Sequence, residues 1–199
     1  MSWFPRRLKL FLFMLVIVSG GYLAFHFVSS FGREIPPELS EARLQGAIVS
    51  QQIVDLSNRA AADLERINVL HRDQNFEDAL DLTLGVVKQS QEVRDQAVQL
   101  SSELERMTRA LSAVNSFAAR QAALEAISDR LALINRIINY TSYLSQVLEL
   151  LRSRFEGNTI GLGRVQILID QINVEIKEIN ALNSQASEAM RRFDDIMGR

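Results

Sequence analysis

Apolar side chains recur along most of this chain in steps of three and four. Val93, Ala97, Leu100, Leu104, Met107, Leu111 and Val114 alternate the two steps without a miss. The same rhythm runs through Ala42, Val49, Ile53, Leu56, Ala60, Leu64 and Ile67, continuing to Leu70 or His71. It returns in Ile127, Leu131, Ile134, Ile138 and Thr141, then Leu148, Leu151 and Phe155, and last from Val165 through Ile176, Asn183 and Phe193 to Met197. Steps averaging 3.5 describe the seam of helices packed side by side at shallow angles. Strands would alternate every second residue, and that pattern is missing.

Three breaks divide the pattern into four helices of roughly 37–72, 76–114, 117–155 and 162–197. His71 to Asn75 is polar, and Asn75 is placed to cap a helix whose first turn carries Glu77 and Asp78. Near Val114 to Phe117 the seam loses phase. Extending it would bury Gln121 and Glu125, whereas Leu124 and Ile127 fit the next set. A turn at Asn115 and Ser116 is preferred to a phase slip within one long helix. At Glu156 to Gly163, Gly157, Asn158, Gly161 and Gly163 cluster behind Arg152 and Arg154, bases suited to a helix C-terminus.

Proline and glycine leave this span open to long helices. Pro5, Pro36 and Pro37 are the only prolines, and Gly85 is the single glycine between Ala47 and Glu156. Four pieces of similar length, each about 50 to 60 Å at about 1.5 Å per residue, predict an up-down-up-down antiparallel bundle or coiled coil.

The stripes differ in width. The second helix is polar around Lys88 to Glu105 apart from its seam, whereas the third carries apolar or tyrosine residues at many positions from Ile134 to Leu151. Within that broad face Ile137, Tyr140, Tyr143, Val147 and Leu150 form the candidate interaction face. The alternative is that the third helix is the central element of a monomeric bundle. Asn183 falls on a seam position, where a buried Asn fixes register at a cost in stability. Leu182 turning inward instead is the competing arrangement.

The N-terminal pattern is of another kind. Leu10 to Gly32 is 23 residues without Asp, Glu, Lys or Arg, long enough as a helix to cross about 30 Å of hydrocarbon once. A cleavable signal peptide is the competing reading, but its apolar region is commonly about 7 to 15 residues. Arg6, Arg7 and Lys9 precede the run and acids appear only from Glu34 onward, so these bases are the expected topology determinants. The resulting layout is a cytoplasmic segment 1–9, a transmembrane signal anchor 10–32, a hinge 33–37 and an exported helical domain 38–199. His26 is read as a neutral side chain near the outer interface.

Composition narrows the chemistry. From Glu38 onward 18 Lys and Arg stand against 23 Asp and Glu, and no basic face is concentrated there, so nucleic acid is not an expected partner. Cysteine is absent, which removes disulfides and thiol chemistry. Only His26 and His71 could supply imidazole to a metal or a nucleophile, and neither stands in a metal-ligand or triad pattern. Gly161 and Gly163 lack both a preceding strand and the third glycine of a dinucleotide loop. Dispersed carboxylates, including Glu103 near Arg106 and Asp129 beside Arg130, read as surface charge.

No enzyme activity and no cofactor are expected. In layout alone the chain resembles LemA-type bacterial proteins and the four-helix ectodomains of bacterial chemoreceptors, without a motif that assigns it to either. Asn75 to Leu80 is similar to the second helix of a tetratricopeptide repeat but occurs once. The expectation is a membrane-anchored scaffold, spacer or assembly factor of the cell envelope that meets a protein partner or a second copy of itself. A sensory or ligand-binding ectodomain that signals through a partner is the alternative.

Overall fold

The computed structural model describes residues 35–157 and 162–198, and in these the chain is all-α, with four long helices and no strand. The helices are α1 (Pro37–Arg72), α2 (Phe76–Ala110), α3 (Phe117–Phe155) and α4 (Leu162–Ile196), and a single 3-10 turn, Leu111–Ala113, follows α2. The apolar run 10–32, its flank Arg6, Arg7 and Lys9, and the loop residues Asn158 and Gly161 lie outside the described residues. Among the described residues no helix is long and apolar enough to cross a membrane.

The helix ends follow local chemistry. Pro37 opens α1 at a position whose N–H has no partner within the helix, so nothing is lost there. After α1 the chain reverses through Gln74 at φ 60°, and Asn75 Oδ1 accepts the Asp78 backbone N–H at 3.4 Å. Its amide nitrogen donates to Asp78 Oδ2 at 2.6 Å, which ties the cap to the first turn of α2. The seam break after α2 is a turn: Val114 is extended, and Ser116 Oγ accepts the Ala119 N–H at 3.2 Å to start α3. Arg152 and Arg154 lie in the last turn of α3, and Gly157 at φ +90° takes a conformation that suits glycine.

Consecutive helices run antiparallel, with polar links between them. Gln89 donates to Asp63 at 2.9 Å between α2 and α1, Ser90 donates to the Thr141 carbonyl at 3.4 Å between α2 and α3, and Arg192 donates to Glu125 at 2.6 Å between α4 and α3. The hairpins α1–α2 and α3–α4 are each packed more extensively than α2 is against α3. First and last helices meet through long side chains at the end where Pro37 and Ile196 lie. There Arg43 on α1 grips Asp194 on α4 with two bonds of 2.9 and 3.1 Å, and the Arg43 guanidinium stands 5.5 Å from the centre of the Phe193 ring. At the opposite end the rings of His71, Phe76 and Phe155 gather with centroids 5.6 to 6.1 Å apart. Burial, and then the Arg154 charge, hold the His71 imidazole below its ordinary pKa.

The core runs the length of the bundle. From Val93 to Val114 all seven seam residues of α2 and the turn after it are buried, as are those of α1 from Ala42 to Ile67 and of α4 from Val165 to Phe193. The phase of α3 differs from the one its leucines suggest. Leu124 is 47% and Leu131 42% exposed, and Ala119, Ala122, Ala123 and Ala126 are buried in their stead. Small side chains on this half of α3 leave room for Phe193, Leu104 and Met107, all fully buried, on the neighbouring helices. One consequence is that Arg130, expected at the surface, is only 6% exposed. Burial, with a smaller contribution from the Arg43 charge, lowers its pKa to about 10, so it keeps its proton at neutral pH.

Two stability changes follow from these buried polar groups. Asp194→Ala removes the two bonds that Asp194 accepts from the buried Arg43 guanidinium, and urea unfolding of the full chain should show a loss of about 3 to 5 kcal/mol. A loss below about 1 kcal/mol, the range of exposed pairs, would contradict that role. Asn183 is 6% exposed, whereas Leu182 is half-buried. Asn183→Leu should therefore raise the melting temperature, because the substitution buries an apolar group where an amide now sits. Unchanged or lower melting would argue against that arrangement.

Candidate interaction surface

The face proposed from sequence is largely occupied within one chain. Ile137, Tyr140 and Val147 lie in the core, and Tyr143 and Leu150 are half-buried against it. Burial pushes the Tyr140 phenol up to about 12, so it stays neutral at any physiological pH. Residues on α3 as far apart around the helix as Ile127 and Val147 are buried, which accounts for the breadth of its apolar face: α3 packs between α2 and α4 and also faces α1. The exposed apolar surface of α3 lies elsewhere on the helix.

That surface is a second stripe at the heptad interval. Phe117, Leu124, Leu131 and Ile138 stand seven residues apart, and the first three are exposed, Phe117 by 73%. Four residues after each comes an uncharged polar side chain: Gln121, Ser128, Asn135 and Ser142. Successive helical residues turn by about 100°, so both rows share one side of the helix. The charged residues of α3 between Gln121 and Gln146 lie on other sides. Glu125 faces α4 through Arg192, Arg136 faces α4 through Glu175 and Glu178, and Arg130 is in the core. Asp129 sits by the same Glu125 and Arg192, and burial followed by the Glu125 charge raises its pKa against the pull of Arg192. The outer face of α3 is thus free of charge for some seven turns, counted from Gln121 to Gln146 at about 3.6 residues per turn.

A shallow groove of about 350 Å³ lies between α3 and α4, lined by Tyr143, Ile167, Asp170, Gln171, Val174 and Glu175. Ile167 and Val174 are exposed, again seven apart, but here acids border the apolar residues. Glu175 is buried in the groove wall and accepts from Arg136 and Asn139, each at 3.4 Å. Among the described residues no group of three or more His, Cys, Asp or Glu could hold a metal ion. The topology residues Arg6, Arg7 and Lys9 are not among the described residues, so no contact is assigned to them.

The stripe is present in the sequence as a row of apolar residues seven apart. It is obscured there because Leu124 and Leu131 also continue a row that reads as core, and the signal that separates them is the quartet of alanines beside them. No family model, no curated protein and no solved structure matches this chain.

If this stripe is surface rather than core, polar substitution there is tolerated. Leu124→Gln with Leu131→Gln should change the unfolding free energy of the detergent-dispersed chain by no more than about 1 kcal/mol. Ile134→Ala, one turn away but buried, should cost about 2 to 5 kcal/mol. Comparable losses for both would place the leucines inside.

Proposed function

We propose that this protein is a single-pass membrane-anchored helical bundle that acts by contact, as a scaffold, spacer or assembly factor in a cell envelope. The observation that carries the reading is the uncharged run Leu10 to Gly32 joined, through a short proline hinge, to a bundle that displays a long charge-free face on α3. An apolar stripe on a solvent-facing helix costs solubility and suits a surface meant to be covered by protein. The bases before the apolar run favour an N-terminus in the cytoplasm, with the bundle on the other side of the membrane. In that arrangement the bundle stands with its Arg43–Asp194 end toward the membrane and its His71–Phe76–Phe155 end away from it. The alternative of a ligand-binding sensor draws on the α3–α4 groove, but so shallow a site offers little enclosure for a small molecule.

Protease added to spheroplasts expressing the full chain with a C-terminal epitope should remove the epitope while leaving a cytoplasmic marker intact. Replacing Arg6, Arg7 and Lys9 together by Gln should protect a measurable fraction of the epitope. An epitope fully protected in the wild-type chain would overturn the orientation.

A further inference from the structure

We propose that the ring cluster of His71, Phe76 and Phe155 is a proton-sensitive clasp between the two halves of the bundle, closed while the imidazole is neutral and loosened when it is charged. The halves are the hairpins α1–α2 and α3–α4, each packed more extensively within itself than α2 is against α3. His71 lies in the last turn of α1, Phe76 opens α2 and Phe155 ends α3. The Phe155 ring centre is 5.6 Å from that of His71 and 6.1 Å from that of Phe76, so two of the three ring contacts cross from one hairpin to the other.

The surroundings of the imidazole make this contact depend on its charge. Nδ1 is buried and has no hydrogen-bond partner among the described residues. With its proton on Nε2, a neutral ring leaves only a lone pair at Nδ1. Charging the ring puts a donor there with nothing to receive it, and a net charge against two phenyl rings. The carboxylates nearest in the chain have partners of their own: Asp73 faces Arg72 at 3.6 Å, Asp78 receives the Asn75 amide, and Glu156 accepts from Arg152 at 3.1 Å. Glu77 in the first turn of α2 and Arg164 in that of α4 are exposed. A place in the last turn of α1 favours a charged imidazole. Burial, and then the Arg154 charge on α3, outweigh it and hold the pKa below the ordinary value.

A base held below its ordinary value contributes stability that is complete above pH 6.5, the ordinary imidazole value, and is lost as the pH falls toward its folded value. Charging His71 therefore favours states in which it has left Phe155 for water, and those states uncover the core beside the clasp. Leu151, one turn before Phe155 on α3, is buried there. The Arg43–Asp194 contact at the other end is built without histidine, so opening is confined to the His71 end and reverses when the pH is restored. In the proposed orientation this end is the one farthest from the membrane, but the response does not depend on the tether.

The chain has no cysteine, so single thiols placed in the full-length protein report the opening without background. In detergent, the maleimide rate of Leu151→Cys divided by that of Ala123→Cys, a buried site toward the other end of α3, cancels the pH dependence common to both thiols. Between about pH 7.5 and about pH 5.5 this ratio should rise at least roughly threefold and at most about tenfold, the ceiling for one group of ordinary pKa 6.5. Adding His71→Gln or His71→Phe should leave the ratio level across the same range. A proton NMR titration of the His71 ring, with the other histidine removed by His26→Gln, should give a midpoint below 6.5 and needs no substitution at the clasp. A level ratio in the chain that keeps His71, a rise that persists in both His71 variants, or a midpoint at or above 6.5 would each overturn the proposal. Protease treatment of spheroplasts reads the orientation separately, so a bundle on the cytoplasmic side would remove the envelope reading and keep the clasp.

Discussion

One packing constraint organises this protein: the four helices share a seam, and α3 reaches it with small residues over its first three turns. Ala119, Ala122, Ala123 and Ala126 let the neighbouring helices fill the interior with Phe193, Leu104 and Met107. Burying alanine there rather than leucine sets the rotation of α3, and that rotation places Leu124 and Leu131 outside and Arg130 inside. Leucine in the core would gain more apolar burial per residue. With the interior already supplied with large side chains from α2 and α4, however, added volume on α3 would overpack it.

The same rotation accounts for the buried ionic group toward the Pro37 end of the bundle. Arg130 enters the core close to Arg43, and Arg43 is held by the two oxygens of Asp194 and the face of Phe193. This contact joins the first and last helices, where the backbones make little direct approach. Desolvating these charges is costly, and the paired geometry offsets part of that cost.

Much of the architecture was legible from spacing, and the reasons are local. Regular seams on α1, α2 and α4 marked the buried face of each, and Asn75, Ser116 and Gly157 supplied turn chemistry where the seams broke. The phase of α3 was not legible, because it carries more apolar positions than one face holds and side-chain size counts for more than hydrophobicity in choosing among them. Arg130 was missed for a related reason: a lone arginine in an amphipathic helix is commonly at the surface, and only the rotation of α3 in the folded bundle turns it inside. The exposed apolar row consists of the residues this choice turned outward, and of the face drawn from the widest apolar stretch, Ile137, Tyr140 and Val147 are in the core while Tyr143 and Leu150 are half-buried.

The rotation of α3 is tested most directly by maleimide labelling of single cysteines placed along it in the full chain, in detergent dilute enough to separate copies. Thiols at 121, 124, 128 and 131 should react at rates close to those of an unfolded control, and thiols at 119, 123, 126 and 127 should be slowed at least a hundredfold, consistent with roughly 3 kcal/mol of opening free energy. Slow reaction at 124 and 131 together with fast reaction at 123 and 126 would contradict the account.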